Sequence, residues 1–173
     1  MRNHLTDAMK TAGIDVRTNT MVRSIAGAPG NLAVELSDGQ TITVGQVMMA
    51  TGRVPNSAGL GLEQLGVQIN DRGAIAVTAD SQTSVSHIWA VGDVTGKLML
   101  AHVGSAMGII CAENIAGAET VTLDYEMMPR ATYCHPQVAS FGLTEAQAKE
   151  RGHNIKIGRF PFQANGKALG LGD

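Results

Sequence analysis

The stretch that decides the fold is residues 88–112, IWAVGDVTGKLMLAHVGSAMGIICA. Ile88–Val91 is a short apolar run of the kind that forms a strand buried on both faces. It runs into Gly92-Asp93, a turn that places a carboxylate at the strand's C-terminal end, where open α/β sheets put their ligands. Gly92 permits close backbone approach. From Ala101 to Ile115 the residues Val103, Ala106, Met107, Ile110, Cys111 and Asn114 keep helical spacing, and Gly117 stops the run. The start of that helix carries free N–H groups and the positive end of the helix dipole. Asp93 is suited to accept hydrogen bonds from sugar-like hydroxyls such as a ribitol chain. A helix N-terminus stabilises an anion such as the N1/O2 edge of a reduced flavin. The segment therefore reads as one side of a dinucleotide site, a flavin site foremost. Taken alone, Val-Gly-Asp also reads as a plain strand-to-turn cap.

Outward from this segment the chain falls into three textures, with seams near residues 47 and 124. At the N-terminal side, Leu5, Ala8, Met9 and Ala12 have helical spacing and Gly13 ends the helix. Ile14–Val16 reads as a short strand. Thr20–Ala26, Asn31–Leu36 and Gln40–Val44 follow as an antiparallel meander, separated by Pro29-Gly30 and Asp38-Gly39, with Leu32, Val34 and Leu36 alternating. Val47–Ala50 reads as a strand buried on both faces. Residues 53–85 are loop-rich, with a short helix around Leu62–Leu65 and a strand around Ala74–Val77. Past Asp124, Ala131–Cys134 and Val138–Gly142 read as adjacent antiparallel strands. Thr144-Glu145-Ala146-Gln147 opens a short helix with a capping box. Ile155–Phe162 reads as a further strand, and Gly172-Asp173 as lying in the middle of a glycine-rich loop.

Composition narrows the class. Apolar residues make up 44% and charged residues 16% of the 173, enough to build a core and too apolar for wholesale disorder. A net charge of −2 without a basic block argues against nucleic acid or an anionic membrane as partner. No apolar run reaches the length of a membrane span, and MRNHLTDAMK lacks a signal-peptide core, so a cytoplasmic protein is expected. Cys111 and Cys134 form neither a metal pattern nor a CxxC or CxxxxC pair, and read as ordinary core thiols. The methionines, Met48-Met49 and Met127-Met128 included, read as core fillers rather than a metal stripe.

The surroundings make the central segment specific. Ala50-Thr51-Gly52-Arg53-Val54-Pro55-Asn56 stands about forty residues before Val91-Gly92-Asp93. Leu60-Gly61-Leu62, Gly66-Val67, Arg72-Gly73 and Thr83-Ser84-Val85 lie between. Met99-Leu100-Ala101-His102, Pro136-Gln137-Val138-Ala139-Ser140-Phe141-Gly142-Leu143-Thr144-Glu145, Phe160-Pro161-Phe162 and Ala164-Asn165-Gly166-Lys167-Ala168 follow. Each motif is weak alone. In this order, over essentially the whole chain, they resemble the class I pyridine nucleotide–disulfide oxidoreductases, and among them the dihydrolipoamide dehydrogenases more than the glutathione or mercuric reductases.

The resemblance implies an α/β fold: a partial FAD/NAD-binding three-layer (ββα) domain followed by the start of an α+β dimerisation domain. Residues 1–47 would be the C-terminal part of the NAD-binding domain, 48–123 the second FAD-binding segment, and 124–173 the incomplete N-terminal part of the dimerisation domain. Asp93, with Gly92, would bind the flavin ribitol. The backbone of Met99, Leu100 and Ala101 would face the isoalloxazine, His102 would support the pocket, and Gly52 would lie near the pyridine nucleotide. FAD and NAD are the implied cofactors, a homodimer through the C-terminal domain the implied assembly, and a lipoyl-carrying protein the implied substrate.

Three parts of that family's machinery are not in the sequence. It holds no GxGxxG phosphate cradle, no CxxxxC redox disulfide and no C-terminal His/Glu acid–base pair. No residue here is therefore assigned a catalytic role, and the chain by itself is expected to be an inactive fragment. His135-Pro136 reads as structural, and His4, His87 and His153 as surface or turn residues. Arg53 and Lys97 could steer phosphates, with solvated loop charges as the plainer reading. Two alternatives stay open: another disulfide reductase of the same family, and a non-catalytic remnant kept as a binding or dimerisation module.

Overall fold

A computed structural model describes residues 2–171. The chain divides into two compact units, Met1–Gly52 and Arg53–Asp173.

The first unit holds helix α1 (Arg2–Thr11) and a three-stranded antiparallel sheet in the order β1 (Val22–Ala28), β2 (Asn31–Leu36), β3 (Thr41–Val44). Alternation sets its two faces: Val34 and Leu36 on the central strand are buried, while Ala33 and Glu35, at the alternate positions, are exposed. The end of β1 requires glycine. Gly27 sits at φ 111°, and a Cβ there would stand 2.5 Å from the Asn31 carbonyl oxygen. At the second turn the Asp38 carboxylate accepts from the Gln40 N–H at 3.0 Å, and Gly39 takes φ 84°. The expected strand Ile14–Val16 is not formed; among the described residues no strand pairs with it.

Val47–Ala50 is also not a strand, and it is exposed rather than buried: Met48 and Met49 are 87% and 80% accessible. A central strand exists only when neighbours on each side take its N–H and C=O groups. Among the described residues none does so here. The core-filler reading of Met48, Met49 and Met127 fails for the same reason, whereas Met107 fits it.

The second unit has two parts. In residues 53–123, Val67, Ile75 and Ala90 form a small core over which Leu62, Val77, Val85, Ile88 and Val94 pack. The expected strands here survive as single bridges, Ile69 with Ile75 and Gln82 with Trp89, and the expected helix at Leu62–Leu65 is a pair of turns. Ile88–Val91 is thus a partnered extended segment, not a ladder strand. It delivers a 3-10 turn, Gly92–Thr95, and then helix α2 (Ala101–Ile115). Val103, Met107, Ile110 and Cys111 are the buried stripe of α2, at the spacing of one helix face.

The remainder pairs β4 (Arg130–Thr132) with β5 (Val138–Ser140), antiparallel, across a cis His135–Pro136 bond. Helix α3 (Glu145–Glu150) has its capping box: the Thr144 hydroxyl accepts from the Gln147 N–H, and the Gln147 side-chain oxygen Oε1 accepts from the Thr144 N–H at 2.9 Å. Arg151 forks onto the Glu126 carboxylate, tying the end of α3 to the entry of β4. Among the described residues Ile155–Phe162 forms no strand, and Phe162 instead opens a 3-10 turn, Phe162–Ala164. Helix α4 (Gly166–Leu171) opens at Asn165, whose Oδ1 accepts from the N–H groups of Lys167 and Ala168 at 3.0 and 3.2 Å, an N-cap; the glycine-rich loop read at Gly172-Asp173 lies outside the described residues.

Candidate functional site

The site is built on one backbone crossing. Gly92 takes φ 76°, and its Cα packs on Gly104 of α2, where an added Cβ would come to 3.4 Å from it. Two glycines facing one another let the Gly92-Asp93 turn settle against the first turns of the helix. The Thr95 hydroxyl, buried, donates to the Gly92 carbonyl at 2.7 Å and closes the 3-10 turn. Gly96 follows at φ 62°, where a Cβ would stand 2.8 Å from Ala74 Cβ. This turn is fixed by sterics on both sides, and Asp93 rides on it.

Asp93 projects from the fixed turn into an open groove of about 400 Å³. Residues 53–56 form one wall, and Asp93, Val94 and Met99 the other. Among the described residues no hydrogen bond reaches the Asp93 carboxylate. Its partner is the Arg53 guanidinium, Nη1 to Oδ2 at 3.8 Å, with side chains 78% and 51% accessible for Arg53 and Asp93. At that distance and exposure the pair contributes about 0–1 kcal/mol. The carboxylate is therefore free to turn toward hydroxyl donors at little cost.

Helix α2 opens beside this groove without a side-chain cap. Leu100 is extended (φ −131°, ψ 138°), and its carbonyl accepts from the N–H groups of Val103 and Gly104. The N–H groups of Ala101 and His102 precede the first intrahelical bonds, so they point out of the helix start. Leu100 N–H is turned back onto the Leu98 carbonyl at 2.8 Å. His102 is exposed, and its Nε2 lies 2.9 Å from the Pro129 carbonyl oxygen.

The second unit thus brings together Gly92, Asp93, Met99, Leu100, Ala101 and His102. Gly52 is the last residue of the first unit, exposed, at φ 115° with open space around it. Sequence reasoning places Arg53 among the solvated loop charges and overlooks Gly104. The signal for Gly104 is present: a small residue one turn into the helix, where the glycine of a preceding turn has to pack. Cys111 is buried and Cys134 half-buried, both as free thiols. Among the described residues no cluster of three His, Cys, Asp or Glu side chains is placed to hold a metal.

The donor set fits a flavin nucleotide on this wall. An exposed carboxylate without competing donors suits a polyhydroxyl chain, and the uncapped start of a 15-residue helix suits an electron-rich ring edge. The glycine crossing leaves no room for bulk beyond a Cβ between the two. For a pyridine nucleotide, the first unit offers the Gly52 backbone and no phosphate-cradling turn.

Residues 1–108 match the family model described as pyridine nucleotide-disulphide oxidoreductase, and residues 128–173 match that family's dimerisation domain. A dihydrolipoyl dehydrogenase from Mycobacterium leprae is 50% identical over 168 residues, which is 95% of this chain and 36% of that protein. One from Corynebacterium glutamicum is 56% identical over 137 residues, covering 78% of this chain and 29% of that protein. Among solved structures, LpdA from Mycobacterium tuberculosis superposes with a TM-score of 0.90 at 25% identity, over 98% of this chain and 37% of that one. The HOCl-induced flavoprotein disulfide reductase RclA from Escherichia coli gives 0.88 at 28% identity, over 99% of this chain and 39% of that one. The chain spans about 36% of the length of the curated relatives it matches first. With the family model covering well over half of its residues, the chain belongs to the pyridine nucleotide-disulphide oxidoreductase family.

Proposed function

We propose that this chain supplies flavin-site and dimer-interface elements of an FAD-dependent oxidoreductase that reoxidises dihydrolipoamide with NAD⁺ through a redox disulfide. The observation that carries the reading is the open Asp93 carboxylate on a turn fixed against the start of α2, in a chain half identical to dihydrolipoyl dehydrogenases. Residues 1–47 act as the end of the NAD-binding domain, 48–123 as the second FAD-binding segment, and 124–173 as the opening of the dimerisation domain. Two copies pair through that last part. The lipoyl group arrives on a carrier protein, and two free thiols suit a reducing cytoplasm.

When bound, the flavin supplies the two-electron relay between a dithiol and a pyridine nucleotide. The chain's own residues bind and orient. Asp93 accepts hydrogen bonds from ribitol hydroxyls, and Arg53 balances its charge so that an anionic nucleotide is not repelled. The N–H groups at Ala101 and His102, with the dipole of α2, favour negative charge at the ring edge that faces them. Met99 closes the groove wall and keeps water from that edge. Gly52 lets the chain pass close to a pyridine nucleotide.

A replacement experiment tests the reading. In the Mycobacterium leprae relative the corresponding segment is replaced by residues 1–173, and FAD content and dihydrolipoamide-dependent NAD⁺ reduction are measured. The expected result is a flavin-loaded dimer that reduces NAD⁺. A folded dimer that carries no flavin would sink the proposal, and one that oxidises NADPH with glutathione disulfide would transfer it to the reductase alternative.

A further inference from the structure

The bond from His102 to Pro129 joins the two family-matched parts of the chain: His102 lies within residues 1–108 and Pro129 within residues 128–173. A carbonyl oxygen only accepts, so Nε2 carries the proton in this pair, and a neutral His102 is held as the Nε2–H tautomer. His102 sits on the uncapped first turn of α2, and Pro129 immediately precedes β4. The two residues are 27 apart in sequence. We propose that His102 is a positioning residue that couples the flavin-facing turn of α2 to the β4–β5 hairpin. This inference rests on the flavin reading only for its functional consequence. Through it, filling the flavin site firms the start of the dimerisation part, and a firm hairpin in return improves flavin affinity, because coupling between two sites is reciprocal.

The test uses the 173-residue chain carried in place of the corresponding segment of the Mycobacterium leprae relative, with FAD as probe, comparing wild type, His102→Ala and His102→Gln. Gln presents an amide N–H near the place of Nε2, so it restores the donor without the ring. Three readouts are taken: the tautomer of His102 by nitrogen NMR, hydrogen exchange of the first amides of α2 and of β4, and FAD affinity. The proposal expects the Nε2–H tautomer. It expects faster exchange on both sides of the bond in His102→Ala, and recovery in His102→Gln. FAD affinity should fall about five- to tenfold in the Ala variant and return in the Gln variant, within the usual range of coupling between sites. Faster exchange at α2 alone, or a wild-type Nδ1–H tautomer, would overturn it. If wild type binds FAD and the Ala variant binds equally well, the coupling fails and the flavin reading stands. If no form binds FAD while both exchange changes appear, the coupling stands and the flavin reading fails.

Discussion

Gly92 and Gly104 touch through their backbones, and that contact holds the Asp93 turn against the first turns of α2. A Cβ at Gly92 or Gly104 would meet the other backbone at contact distance, 3.9 and 3.4 Å, so bulk beyond Cβ has to open the crossing. Gly104→Val should therefore destabilise the second unit by about 1–3 kcal/mol, the usual cost of inserting bulk into a packed contact, and loosen the Asp93 turn with it. Gly108 lies on the same helix, and a Cβ added there would meet nothing within 4 Å. Gly108→Ala should instead stabilise by up to about 1 kcal/mol through helix propensity. Chemical denaturation of the two variants checks the opposite signs.

Burial on α2 gives a second contrast. Met107 is 1% accessible and Ile109, two residues on, is 61% accessible. Met107→Ala should cost about 2–5 kcal/mol, and Ile109→Ala no more than about 0.5 kcal/mol. Equal losses in thermal unfolding would mean that α2 buries a different face.

On α3, the Lys149 ammonium, hydrogen-bonded at 2.6 Å, holds the Glu145 carboxyl below the usual glutamate range. A carboxyl depressed in the folded state stabilises at pH values above its unfolded pKa. That contribution is lost as pH falls through the lower, folded value. In a carbon NMR titration Glu145 should have the lower midpoint, and Lys149→Ala should raise it toward that of an unpaired glutamate. An unchanged midpoint would show that the pair does not hold in solution.

Arg53 and Asp93 should separate stability from binding. Their pair is long and exposed, so Arg53→Ala should change unfolding free energy by less than about 1 kcal/mol. Its effect should appear in FAD affinity, and more at low salt than at high salt, since screening already weakens an exposed charge. A salt-independent loss would place Arg53 in a structural role.

Local rules made much of this legible. The bounds of β2 and the span of α2 follow from alternation and helical spacing, and the capping box at Thr144 is written in four consecutive residues. The Asn165 cap is written in the same way, but its neighbouring glycines suggest a loop. Val47–Ala50, Ile88–Val91 and Ile155–Phe162 have strand composition without ladder pairing, because a strand is a property of two segments and sequence shows only one. At the site, Asp93 and the α2 start are visible as types in order. The approach of Arg53 to Asp93 and of Gly104 to Gly92 depends on how distant loops close, which no local pattern encodes.

The most direct test of the central claim is an FAD titration by flavin fluorescence of the chain carried in place of the corresponding segment of the Mycobacterium leprae relative, comparing wild type with Asp93→Ala and Asp93→Asn. The account predicts saturable binding by wild type. Asp93→Ala should lose about 1.5–3 kcal/mol, the worth of hydrogen bonds to a charged acceptor, while its unfolding curve stays near that of wild type. Asp93→Asn, which keeps one acceptor oxygen, should fall between the two. Wild type and Asp93→Ala binding FAD with the same affinity would contradict it.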